Sequence, residues 1–180
     1  MAGGRVLVLD GDGAPAGDAG RLGTACSIES LLARIQHPIL KRMVAFWDLK
    51  RHGRDWPLRA DLDPLEFWFA VGHVSLIDII SKTTSRPRRY FFRLDGTRQV
   101  DLFGVDFTGK FLDQVYDAEG LILAEQSYGA AVDQGAPQYH VRQVEFHDRP
   151  IRYEIVILPL SKTGERVDML MTVVTREGES

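Results

Sequence analysis

Gln138-Tyr139-His140-Val141-Arg142-Gln143-Val144-Glu145-Phe146 runs through His147-Asp148-Arg149-Pro150 into Ile151-Arg152-Tyr153-Glu154-Ile155-Val156-Ile157-Leu158. β-Branched and aromatic residues recur through both runs, and the polar, proline-containing tetrapeptide between them is a turn signal. Ser161-Lys162-Thr163-Gly164 is a second such signal, ahead of a further apolar run over residues 166–175. Residues 138–175 therefore read as three antiparallel strands joined by hairpins.

Upstream the period changes. Asp117 is placed to cap a helix reaching Gln134, with Leu121, Ile122, Leu123, Ala124, Tyr128, Ala131 and Val132 as buried positions and Gly135 and Pro137 as its end. Residues 96–110 hold short helical pieces closed by Gly104 and Gly109. Before them, residues 73–80 and 88–94 have strand character and flank Lys82-Thr83-Thr84-Ser85-Arg86-Pro87, a hairpin. Alternation sets Tyr90, Phe92 and Leu94 against Arg89, Phe91 and Arg93. Each side carries an aromatic residue, so alternation alone leaves the inward face open.

Asp63-Pro64-Leu65-Glu66 combines an N-cap, a proline at the first helical position and an acid two residues later, so a short helix follows through Trp68. Arg59, Asp61, Asp63 and Glu66 could also form an acidic catalytic group, but capping already accounts for their spacing. Earlier still, Thr24 or Ser27 can cap a helix with Ile28, Leu31, Leu32 and Ile35 on one face. Pro38 then opens a second, with Ile39, Leu40, Met43, Val44 and Trp47 on one face, ending near Gly53.

Two strands, a helical middle and three strands describe an α+β domain: a five-stranded antiparallel sheet with helices packed on one face. Residues 55–178 form that domain, and residues 24–54 form an N-terminal helical extension. The extension covers the second sheet face, either of its own chain or by pairing between two copies. Leu31, Leu32, Ile35, Ile39, Met43 and Trp47 are the surface such a dimer or partner would meet. Residues 1–23, with seven glycines, read as a flexible tail.

This order of elements resembles the PAS sensory fold. Gly96-Thr97-Arg98-Gln99-Val100-Asp101-Leu102-Phe103-Gly104, followed by Gly109-Lys110, is similar to the family's short central helices. Phe46-Trp47, Arg59-Ala60-Asp61-Leu62-Asp63-Pro64 and Pro159-Leu160-Ser161 add a closer resemblance to small stand-alone bacterial PAS-like proteins of uncharacterised function. The resemblance spans about residues 30 to 175. It implies a sensory or protein-interaction module and, like any fold-level likeness, names no ligand.

The resemblance also frames the cofactors. Flavin photosensors of the family need a cysteine near the central helices, whereas the single cysteine, Cys26, lies upstream of them. Haem-binding members commonly use a histidine on the long helix, and residues 117–134 contain none. The resemblance places a pocket between sheet and central helices, with Phe91, Phe103, Phe107, Phe111, Tyr128 and Met169 as candidate lining and Arg93 as a polar contact. A filled pocket would make the chain an interaction module; an open one would favour small-molecule sensing.

Composition excludes other classes. The 180 residues carry 22 Lys and Arg against 25 Asp and Glu, a formal charge of −3, which does not suit a general polyanion-binding surface. Arg86-Pro87-Arg88-Arg89-Tyr90-Phe91-Phe92 sets basic residues beside aromatics that could stack on bases, yet the aromatics also read as strand core. One cysteine permits no internal disulfide and fits a reducing cytoplasm. No apolar run approaches the roughly 18 to 20 residues of a membrane span.

His37, His52, His73, His140 and His147 have no helical two-histidine metal spacing, though His140 and Arg142 share a strand face and could contact an anion. Gly-x-Ser-x-Gly and nucleotide-binding glycine motifs are missing. The enzymatic alternative is a pocket hydrolase or isomerase, or a phosphotransferase. For the latter, Val6-Leu7-Val8-Leu9-Asp10-Gly11-Asp12-Gly13 resembles the opening of haloacid-dehalogenase-type enzymes, with Asp10 as nucleophile and Asp12 as acid and base. No acidic pair to hold magnesium can be placed, and the elements do not alternate as in a doubly wound sheet.

Overall fold

The computed structural model describes residues 6–9, 27–83, 86–146 and 149–178. The helices are α1 (Ile28–Arg34), α2 (Pro38–Lys50), α3 (Thr97–Phe103), α4 (Leu112–Val115) and α5 (Ala118–Gln134), with 3-10 segments at Arg59–Asp61 and Pro64–His73. The strands are β1 (Val6–Leu9), β2 (Val74–Thr83), β3 (Arg86–Leu94), β4 (Gln138–Phe146), β5 (Arg149–Leu160) and β6 (Met169–Arg176).

The five expected strands form one antiparallel sheet in the order β4-β5-β6-β2-β3. β1 adds a sixth strand at its edge, Val6 facing Val144 and Leu9 facing Val141 across the antiparallel pair. This corrects the reading of residues 1–23 as tail throughout: four residues suffice for an edge strand when a partner supplies the hydrogen bonds. Asp10, Asp12 and Cys26 lie outside the described residues.

Side chains alternate along β6 between two helical layers. Met169, Met171 and Val173 enter one core with Leu40, Met43 and Trp47; Leu170 and Val174 enter another with Phe103, Phe107 and Tyr128. Each buried side chain of this size contributes about 2 kcal/mol. The continuous apolar runs of β5 and β6 follow from this double coverage.

The N-terminal helices are short, so packing rather than propensity holds them. Ser27 Oγ accepts from Ser30 N at 3.2 Å to start α1, and His37 Nδ1 accepts from Ile39 N at 3.2 Å to start α2. Trp47 Nε1 donates to Pro159 O at 2.7 Å, docking α2 on the sheet. Leu31, Ile35, Met43 and Trp47 are buried in this core, and Leu32 and Ile39 are partly buried against it. That corrects their assignment as a dimer or partner surface, because they cover the sheet of their own chain.

Asp63 caps as expected, its Oδ1 accepting from Leu65 N at 2.9 Å. The segment it opens is 3-10 in two pieces that meet at a kink at Phe67, and every third residue from Phe67 onward is buried. Phe67, Ala70 and His73 are buried, while Leu65, Trp68 and Val71 are exposed. Glu66 reaches Lys50 Nζ at 2.6 Å, and Asp61 accepts from Leu58 N and pairs with Arg54, so this acidic group is spent on local structure.

Asp117 Oδ1 accepts from Gly120 N at 2.8 Å, and Gly135 closes α5 in the left-handed region at φ 59°. Gly96 is required for space: a Cβ there would collide with Gly72 O and lie 2.8 Å from Val74 O. Among the described residues, no helix is long and apolar enough to cross a membrane.

Candidate pocket between the sheet and the central helices

The core beneath α3 and α5 is built largely of rings. Phe103 meets Tyr153 edge-on with centroids 5.4 Å apart, Phe92 lies 5.3 Å from Phe107, and Tyr90 lies 5.3 Å from Tyr128. Such contacts stabilise beyond buried area and define the positions of the rings. They leave a cavity of about 10 Å³. That is room for about one water.

The expected Phe103, Phe107 and Tyr128 line this cavity. The other four expected positions lie elsewhere. Phe91 and Phe111 pair with each other at 5.1 Å, away from it, with Arg89 stacked 3.6 Å over the Phe111 ring. Arg93 is exposed and pairs with Asp78 at 2.7 Å. Met169 belongs to the opposite core, because β6 is buried on both faces and its parity could not be read from apolarity.

Gln99, Tyr116, Tyr153 and Thr172 also line the cavity and were not anticipated. Gln99 Nε2 donates to His73 O at 2.7 Å, and His73 Nδ1 lies 2.9 Å from Val174 O. A carbonyl can only accept, so Nδ1 carries the proton. The buried amide and imidazole thereby tie α3 and the 3-10 segment to β6.

Arg142, on β4, is 4% exposed and faces Tyr153 across the β4–β5 pair. Its Nη2 donates to Ser127 Oγ, which itself donates to Leu123 O at 2.8 Å; its Nε has no partner. Burial pushes the phenols of Tyr116 and Tyr128 above their ordinary range, and the Arg142 charge opposes this at both. His140 lies two residues along the strand, its Nε2 also without a partner. Burial, with the charges of Arg142 and Arg34, lowers His140 to about 3, so it is neutral near pH 7.

The arrangement is rich in donors but lacks an activated nucleophile. Ser127 is held by a guanidinium and a carbonyl, neither of which can take its proton. Among the described residues, no group of three His, Cys, Asp or Glu could hold a metal ion. A flavin or haem requires a site of roughly several hundred Å³. The residues around this cavity do not fit either group without displacement of α3 and α5.

The basic residues at the start of β3 also have local partners: Arg88 pairs with Asp133, and Arg89 reaches Asp113 at 2.8 Å.

No curated protein matches the chain. The PAS domain model matches residues 35–174, from the end of the α1 turn through β6, and the chain belongs to the PAS domain family.

Proposed function

We propose that this PAS domain is a non-enzymatic regulatory module that acts through protein contact, as a homodimer joined by the exposed face of its 3-10 segment. The carrying observation is that Leu65 is 79% exposed and Trp68 75%, on either side of the kink at Phe67, with Val71 at 44% three residues beyond Trp68. Large apolar side chains close together in the chain and exposed to solvent mark contact surfaces. The filled ring core supports contact rather than capture of a bulky cofactor as the mode of action.

A second copy is the occupant because the charge beside this face is mixed. Arg42 stacks 3.5 Å over Phe69, and Lys50 pairs with Glu66, so both signs flank the apolar residues. A two-fold interface joins a patch to itself and requires such self-complementarity. A cytoplasmic location belongs to this reading and is supported by one cysteine in 180 residues.

Native mass spectrometry and light scattering across a concentration series test the reading. The wild-type chain is expected as a dimer, and Trp68→Asp as a folded monomer with an unchanged far-ultraviolet circular dichroism spectrum and a lower, concentration-independent melting temperature. A wild-type monomer at all concentrations, or a dimer that Trp68→Asp leaves intact, overturns it.

A further inference from the structure

The hydroxyls around the water-sized cavity pose a problem that the interface reading does not address. Tyr128, Tyr153 and Thr172 are 3%, 2% and 1% exposed, and they line the cavity together with Gln99 and Tyr116. None of the four hydroxyls forms a hydrogen bond among the described residues. A buried hydroxyl in that position has given up its bonds to solvent with nothing in exchange, which is unfavourable.

Gln99 brings the complementary group. Its Nε2 is spent on His73 O, and because a carbonyl only accepts, this contact fixes the orientation of the amide. The Oε1 acceptor is what the side chain has left. Burial raises the Tyr116 and Tyr128 phenols, so both keep their protons and can donate. The lining thus offers four groups that donate or accept and one that only accepts, with no charged side chain among them.

We propose that the cavity is a binding site for one buried water molecule, held by Gln99 Oε1 and by hydroxyls of Tyr116, Tyr128, Tyr153 and Thr172. The volume of about 10 Å³ sets the size at a single water. A water donates twice and accepts twice, which matches a lining of mixed donors and acceptors, and its neutrality matches a lining without charge. Gln99 belongs to α3, Tyr128 to α5, Tyr153 to β5 and Thr172 to β6, so one molecule joins both central helices to the sheet. The site goes beyond the dimer reading and stands without it, because its residues lie outside the 3-10 segment.

The sign of a stability change tests the site, on the full chain at one protein concentration. Removing a hydroxyl that holds the water breaks a hydrogen bond, whereas removing one that meets no partner relieves an unmet polar group. Tyr128→Phe, Tyr153→Phe and Thr172→Val, each close to the original side chain in size, are expected to lower the melting temperature by about 2 to 4 °C. The double variant Tyr153→Phe/Thr172→Val is expected to lose less than the sum, because both act through one molecule. Thr175→Val is the control: Thr175 Oγ1 is equally buried and without a partner but does not line the cavity, so its removal is expected to leave the melting temperature unchanged or raise it. A high-resolution crystal structure is expected to show an isolated oxygen peak within about 3.0 Å of Gln99 Oε1 and of at least two of the hydroxyls. Cavity-lining variants that melt at or above the wild-type temperature overturn the site, as does a cavity with no such peak or with its hydroxyls bonded to one another.

Discussion

Tyr139 Oη donates a 2.7 Å hydrogen bond to Glu154 Oε2, and the same oxygen accepts from Gln36 N at 3.1 Å and His37 N at 3.3 Å. Two strands and the turn between α1 and α2 thus converge on one buried carboxylate. Burial and the neighbouring Glu154 raise the Tyr139 phenol above its ordinary range, so it remains a donor. This contact decides where the N-terminal helices sit on the sheet.

Glu154→Ala would leave three donors without an acceptor and is expected to cost about 3 kcal/mol. Glu154→Gln keeps one acceptor oxygen and should cost less, and Tyr139→Phe about 1 kcal/mol. Urea unfolding of the three variants checks the order. Equal stability of Glu154→Ala and wild type would remove the carboxylate from its organising role.

Gly96→Ala is expected to destabilise by about 3 kcal/mol, because the added methyl meets the backbone of Gly72 and Val74. The backbone at Gly96 has φ −73°, which alanine adopts freely, so the cost is steric. A thermal melt of Gly96→Ala matching wild type would show that the two backbone segments separate easily.

His140 is held at about 3 by burial first and then by the charges of Arg142 and Arg34, against an unfolded value near 6.5. The unfolded chain therefore binds the extra proton as pH falls below about 6.5, and folding stability decreases. Between pH 7 and 5 the loss from this group is about 2 kcal/mol. Denaturant titrations at both pH values should show that His140→Gln has a smaller fall than wild type.

Asp78 has the opposite balance of causes. Burial alone would raise its carboxyl, but Lys162, 2.7 Å away, and Arg93, also 2.7 Å away, outweigh it and hold the group below the usual carboxylate range. A depressed carboxyl contributes stability above the unfolded value of about 3.9 and loses it as pH falls through the folded value. Asp78→Asn should be less stable than wild type at pH 7 and approach it in acid, as measured by melting temperature from pH 7 to 2.

The α+β order and most element ends were legible because local chemistry writes them. Ser27, His37, Asp63 and Asp117 cap through their own side chains within three residues, and Gly104 and Gly135 adopt the left-handed turns that end helices. The pocket was legible only in part. Phe103, Phe107 and Tyr128 sit on elements with one apolar face, so the amphipathic pattern points them inward. Phe91 and Phe92 are adjacent and equally apolar, and only the placement of α5 against one sheet face chose Phe92.

By itself, then, the chain's sequence determined its strand and helix order, its capping points and the hairpins, since each depends on residues a few positions apart. Tertiary structure decided the rest. It recruited Val6–Leu9 as an edge strand, buried Leu31, Ile35, Met43 and Trp47 in their own protomer, and turned Met169 away from the pocket. It also left Arg142 enclosed with no carboxylate partner among the described residues. These outcomes depend on which faces of a doubly covered sheet meet which helices, and a continuous apolar run carries no period from which that can be read.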